Sequence, residues 1–362
     1  MQNENEQYII KEQDIVNTYD TYQQDQTRLY RQYKCIKQQN SEYGYKRIAK
    51  LLDQPYAKTR WWHSLNRIPV PVKTVEWLKE KKIIALQSDH LHLKLIAKVL
   101  GSLFGDGGIF GNLNGIFLSS SELEAVKEFG EDLKKLFGDE IEENSRIIEG
   151  GEYGHSWCYQ NTNRAVIRFF IALGAPLGDK SFIPLKIPDW IKGSKGEIQD
   201  EFFGSFFGGE IGIPKVHIDR RFLDCFSLGI TGTDEFAENR TEFLQEVANY
   251  LNKKGIKTGK ISVNDHKKVN RAGIPTKIYR LLISTEFENV VNFITLTKMN
   301  YCRYKQEKLL NTMNEFSDIK RQRFDDLVNM GYSEEAAATL LKVSPASLEI
   351  LHNFEDFKEI TN

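Results

Sequence analysis

The chain has 362 residues, 40% of them hydrophobic, with four cysteines and a formal net charge of −1, enough apolar material for two or three packed cores and too much for a disordered or collagenous chain. Its polar, acidic start (MQNENEQYIIKEQD) and the lack of any run of about 18 apolar residues argue against a secretory leader and a membrane span. Cys35, Cys158, Cys225 and Cys302 show no CxxC spacing, which argues against a disulfide framework or a zinc knuckle, so the expectation is a cytoplasmic monomer with no membrane partner.

The near-zero net charge hides strong local imbalance. Residues 1–27 form a polar, acidic segment, whereas residues 28–83 carry fourteen Lys and Arg against four Asp and Glu. A basic unit of this size has the charge profile of a phosphate binder, since each neutralised phosphate releases a counterion. Within the helical domain expected over 28–90, residues 24–39, 44–53 and 56–66 read as short helices, with Asp53-Gln54-Pro55 as the break before the last. That is a helix-turn-helix outline. Its final helix brings Lys58, Arg60 and Arg67 together with Trp61, Trp62 and His63, a mixture suited to phosphates and base edges. The two tryptophans cannot share a face, so one belongs to a core.

From residue 91 the periodicity alternates helix, extended pair, helix, extended pair, helix, and then repeats. The first series covers 91–173: helix 91–106, extended 108–120, helix 122–137 with Leu123, Val126, Phe129, Leu133 and Leu136 on one stripe, a hairpin over 144–160 and helix 163–173. Residues 174–196, with Pro176, Pro184 and Pro188, read as a connector. The second series covers 197–310: helix 197–209, extended 212–231, helix 235–254, extended 256–266 and 276–284, and helix 286–297. Residues 311–362 read as a helical C-terminal appendage, with Ser344-Pro345 as a helix start. The fold class expected is α+β, built from two similar units flanked by small helical parts.

Each series opens with a helix that ends in a glycine-rich string, Val99-Leu-Gly-Ser-Leu-Phe-Gly-Asp-Gly107 and Phe203-Gly-Ser-Phe-Phe-Gly-Gly-Glu-Ile211. Glycine inside a helix costs about 1 kcal/mol against alanine. Gly101 and Gly105, and likewise Ser205 and Gly209, lie four apart and clear one helix face, so the natural partner of each string is the other. Asp106 and Glu210 then follow at helix C-termini, where the dipole disfavours carboxylates. If the small faces meet, both acids arrive beside the free carbonyls of Gly105 and Gly209, an all-oxygen site suited to magnesium, or to manganese in its place. Gly-Asp-Gly alone is also a common turn. Two copies about 104 residues apart, each heading a like series of elements, favour the functional reading.

These strings, with the elements behind them, resemble the two motifs of single-chain LAGLIDADG homing endonucleases over roughly residues 91–310. Further similarity lies in Leu173-Gly-Ala-Pro176 with Lys180, in Ile187-Pro-Asp-Trp-Ile191 and in Tyr301-Cys-Arg-Tyr-Lys305. The resemblance implies two αββαββα repeats joined through the motif helices and a strand saddle that lies on double-stranded DNA. It also implies Asp106 and Glu210 as the catalytic, metal-binding acids that serve the two strands. Superposing Gly105 on Gly209 pairs those acids. On the saddle, Lys215, His217, Arg220, Arg221, Lys267, Lys268, Lys277 and Arg280 become DNA-contact candidates, and Lys267, Lys268 and Lys277 are alternatives for the lysine this family keeps near its metals. A non-cutting DNA-binding regulator and an intron RNA maturase are the alternative functions on the same scaffold. Met1 and the Thr361-Asn362 end speak against an intein.

Overall fold

The computed structural model of the chain describes residues 8–151, 154–219, 221–269 and 273–343. The fold is α+β. Strand β1 (Tyr8–Ile10) pairs antiparallel with β2 (Leu86–Gln87), and between them run helices α1 (Glu12–Asn17), α2 (Thr21–Gln39), α3 (Tyr45–Leu51), α4 (Tyr56–Ser64) and α5 (Val70–Glu80). Asp20 caps α2 by accepting from Gln23 N at 2.8 Å, so this helix starts before residue 28 and crosses the boundary expected there. Helices α2 to α4 enclose a small core of Tyr30, Tyr33, Ile48 and Trp62, whose rings meet at 5.7–5.9 Å. Trp62 is the core tryptophan, and Trp61 faces solvent under the guanidinium of Arg67. Ile15, Val16, Val75 and Leu78 of α1 and α5 instead join the main core. Arg168 tightens that junction by donating to Thr18 O and lying 4.0 Å over the Tyr19 ring.

The first repeat runs α6 (Leu93–Phe104), β3 (Gly107–Ile109), β4 (Ile116–Ser120), α7 (Leu123–Phe137), β5 (Ser145–Gly151), β6 (Gly154–Asn161) and α8 (Arg164–Ala172). After a short α9 (Asp189–Lys192), the second runs α10 (Gly196–Glu210), β7 (Ile211–Gly212), β8 (Phe226–Gly232), α11 (Ala237–Lys253), β9 (Thr258–Val269), β10 (Pro275–Ile283) and α12 (Phe287–Leu296). Both are αββαββα, and both sheets are antiparallel with the same order, β3-β4-β6-β5 and β7-β8-β10-β9. Alternation buries Phe226, Leu228 and Ile230 on one face of β8 and leaves Ser227, Gly229 and Thr231 on the other. One continuous core takes in both repeats.

The C-terminal region departs from the expected boundary at 310. A 27-residue helix, α13 (Arg303–Asn329), runs straight across it and puts Leu309, Met313 and Phe316 into the main core, followed by α14 (Glu334–Leu341). Its long polar stretch, with apolar residues far apart, disguises the anchored face. The helix start expected at Ser344-Pro345 lies outside the described residues. The four cysteines are free thiols. Among the described residues no helix is long and apolar enough to cross a membrane.

Candidate functional site

The seam between α6 and α10 is a close approach of backbones. A Cβ placed on Gly101 would collide with the carbonyl oxygen of Phe202, and one on Gly209 would stand 2.8 Å from Asp106 N and 3.1 Å from Gly105 Cα. Gly101, Gly105 and Gly209 therefore allow the two helices to touch, and Gly105 faces Gly209 as the pairing of the strings requires. Gly204 and Gly208 have a different partner. Cβ atoms there would meet Lys298, 2.8 Å away, and the carbonyl oxygen of Asn300. These two glycines clear a path for the loop at 298–302. Ser205 is held to the same loop, its hydroxyl accepting from Asn300 Nδ2 at 3.2 Å.

At the end of the seam the acids converge. A Cβ on Gly209 would lie 3.4 Å from the carboxyl carbon of Asp106, and Glu210 is the next residue. Solvent reaches Asp106 from the open side while protein crowds its other sides. Burial pushes the Glu210 carboxyl up to about 7, with Asp106 adding repulsion and Lys180 and Lys305 opposing both. Burial also raises Asp106 above the ordinary carboxylate range, and again the same two lysines oppose it. A cleft of about 820 Å³ opens here, lined in part by Phe104, Phe110, Phe117, Lys180, Glu210 and Thr231.

Two lysines complete the arrangement. Lys180 Nζ donates to the carbonyl of Gly105 and to Gly107 O at 2.8 Å, and Lys305 Nζ donates to the carbonyl of Gly209. The carbonyls expected to be free metal ligands are thus hydrogen-bonded to ammonium groups, because a helix end with no further N–H partner attracts a cation from elsewhere in the chain. Burial pushes Lys180 below the usual lysine range, and Glu210, Asp106 and Asp179 pull it back. Among the described residues no group of three or more His, Cys, Asp or Glu is placed to hold a metal. The donors left are the two carboxylates, which fit a hard divalent cation that keeps several waters.

The remaining sequence candidates distribute unevenly. Lys58 is turned back onto Gln54 Oε1 at 2.8 Å, while Arg60 and Arg67 are exposed. Lys215, His217 and Arg221 lie between β7 and β8 on an irregular ribbon closed by the Val216–Leu223 bridge, where His217 stacks on Phe222 at 4.2 Å and pairs with Asp219 at 2.9 Å. Arg280 sits on the open face of β10, opposite Gly229 and Ser262. Lys277 shares the other face with buried Tyr279 and Leu281 and is salt-bridged to Asp234 at 2.7 Å, so neither the open face nor the acids receive it. Its alternating position along β10 decides this. Arg220 and the side chains of Lys267 and Lys268 lie outside the described residues. The uncharged look of 108–120 is offset by Arg146 of β5, which donates to Gln160 Oε1 at 2.8 Å and shares a row with Phe117.

No protein-family model matches the chain. It is 28% identical over 269 residues to the DNA-directed RNA polymerase subunit Rpo1N of Methanocaldococcus jannaschii, covering 70% of this chain and 20% of that protein. Against the tRNA-splicing ligase RtcB of Pyrococcus furiosus it is 28% identical over 261 residues, covering 68% and 25%. Against the replication factor C small subunit of M. jannaschii it is 23% identical over 275 residues, covering 73% and 14%. The chain thus spans a quarter or less of the length of each. Among solved structures, variants of the homing endonuclease I-DmoI overlay with a TM-score of 0.36 at 16% identity, over 61% of this chain and 98% of that one. The homing endonuclease I-WcaI bound to its DNA recognition sequence gives 0.37 at 14% identity, over 66% and 92%. The LAGLIDADG homing endonuclease I-GzeII in complex with its DNA target gives 0.30 at 10% identity, over 71% and 96%.

Proposed function

We propose that the chain is a divalent-metal-dependent DNA endonuclease of the homing type that hydrolyses both strands of a long duplex site. The observation that carries this is the meeting of Asp106 and Glu210, from corresponding ends of two like repeats, across a glycine seam. Two carboxylates at adjoining helix C-termini, each pushed up by the protein around it, are unfavourable for folding alone. They are suited to one task that recurs twice, once for each DNA strand.

In this reading Asp106 and Glu210 would hold magnesium or manganese, whose chemistry when bound would be to acidify a water and offset charge on the leaving oxygen. The ammonium groups of Lys180 and Lys305 limit the repulsion between the acids and fix the helix-end carbonyls beside them. They also put positive charge next to a phosphodiester entering the cleft. Arg280, Lys215, Arg221 and Arg146 on and beside the two sheets meet the duplex, and Arg60 and Arg67 add contacts from the helical N-terminal unit.

A non-cutting DNA-binding protein is the second reading, favoured by the three-helix N-terminal unit with its exposed Lys46, Arg47, Lys50 and Arg60. Incubating the protein and magnesium with a randomised duplex library, then sequencing the cut ends, separates the two. Recovery of a long common site cut on both strands supports the nuclease, and binding without cutting supports the alternative.

A further inference from the structure

We infer that Arg240 and Asp132 are positioning residues that act crosswise: each reaches from the long helix of one repeat to the segment that delivers the lysine of the other. This rests on the endonuclease reading and adds to it a separate control over each strand.

Arg240, on α11 of the second repeat, is fully buried. Among the described residues its hydrogen bonds all end on neutral oxygens: Thr231 O at 3.1 Å, Asn239 Oδ1 at 2.6 Å, Ile183 O at 2.9 Å and the carbonyl of Lys180. Burying a guanidinium without a carboxylate costs several kcal/mol, and an apolar side chain would serve the core as well or better. What the arginine fixes is the backbone at residues 180–183, from which the Lys180 ammonium enters the acid site. Neighbouring Asn239 grips the same stretch, its amide accepting from Leu185 N at 2.8 Å and donating to Leu185 O at 2.9 Å. This stretch has only a three-residue 3-10 turn of its own, so its place is set by what it is tied to.

Asp132, on α7 of the first repeat, is the counterpart. It is 1% exposed and accepts from Lys98 and Tyr301, both at 2.7 Å, and from Lys135 at 2.9 Å. Tyr301 adopts φ +56, an uncommon conformation for an aromatic residue, in the loop just before the helix that carries Lys305. Asn300 fastens that loop to α10 through Gly204 O at 3.1 Å. One clamp is cationic and binds carbonyls, and the other is anionic and binds a phenol. The two differ in chemistry and in position along their helices, Asp132 late in α7 and Arg240 in the first turn of α11, yet each ends on the segment that carries one lysine. Lys180 is bonded to the carbonyl that precedes Asp106 and Lys305 to the carbonyl that precedes Glu210, so each clamp holds the ammonium group at one helix end and one acid.

The test uses the full chain and the duplex site recovered from the library, labelled with a different fluorophore at each 5′ end. Arg240→Met is expected to slow one strand by roughly 10-fold to 100-fold, the range for small misplacements of reacting groups, and Arg240→Lys to slow the same strand less. Lys180→Met should affect that same strand. Tyr301→Phe, Asp132→Asn and Lys305→Met should slow the opposite strand. For the Arg240, Asp132 and Tyr301 variants, affinity for the site in calcium should stay within about twofold, as expected for changes that leave ground-state binding alone. Where Arg240→Met does not fold by thermal melting, Arg240→Lys and Tyr301→Phe carry the test. Equal slowing of both strands, or no change in either, overturns the inference. Failure of the wild-type chain to cut any library member overturns the nuclease reading instead.

Discussion

Lys180 and Lys305 do the same thing on the two helices at one end of the seam: each ammonium donates to the carbonyl of the glycine that precedes an acid, Gly105 before Asp106 and Gly209 before Glu210. The lysines arrive 75 and 96 residues after those glycines, from the connector and from α13. The site thus repeats its internal symmetry in its cations as well as its anions. With Lys180→Met the compensation of Glu210 is lost, and that carboxyl should titrate higher still, read by carbon NMR of labelled glutamate in metal-free protein. An unchanged or lower titration would contradict the arrangement.

At Gly101 the seam has no room for an added carbon. Alanine is the better helix former by about 1 kcal/mol, yet Gly101→Ala should destabilise by about 1–3 kcal/mol because its methyl group meets the Phe202 carbonyl. A urea midpoint equal to or above that of the parent would contradict the close contact.

Glu210 makes metal-free stability fall as pH rises. Its folded value of about 7 lies above the ordinary 4.5, so between these pH values the folded chain holds a proton that the unfolded chain has released. Stability from this group is therefore complete below about 4.5 and declines up to about 7, a loss of about 3 kcal/mol. Glu210→Gln should remove that component and melt higher than the parent at pH 8 in a chelator, with the gap closing toward pH 4.5. A gap that widens toward acid would contradict the burial of this carboxyl.

The N-terminal unit should contribute charge rather than sequence reading at two positions. Arg60→Ala and Arg67→Ala are each expected to weaken DNA binding and to reduce the logarithmic salt slope by about 1 per lost phosphate contact. Lys58→Ala should do less, since its ammonium is already taken by Gln54. Equal salt slopes for all three variants and the parent would show that this face does not meet phosphates.

Much of the scaffold is legible in the sequence because local periodicity carries it. The stripe Val126, Phe129, Leu133 and Leu136 is buried as α7, and the alternation along 226–232 appears as β8. The seam glycines are legible for the same reason, since spacing by four defines a helix face. The lysines are not, because only the return of a distant segment gives Lys180 and Lys305 their place. Arg240 and Asp132 left a signal of a different kind. Asp132 falls between Phe129 and Leu133 on a buried stripe, and Arg240 begins the stripe Phe243, Leu244 and Val247. A charge on the apolar face of an amphipathic helix has to find a partner inside the protein. The anchoring of α13 was hidden because Leu309, Met313 and Phe316 are thinly spread among polar residues.

The pairing of Asp106 with Glu210 is tested most directly by cleavage of the library-derived site in magnesium by the parent, Asp106→Asn and Glu210→Gln, with binding followed in parallel. Loss of a metal-binding carboxylate is worth several kcal/mol, so each variant should lose about 1000-fold or more in double-strand cutting while still binding the duplex. Cutting of both strands by either variant at the parent rate would contradict the account.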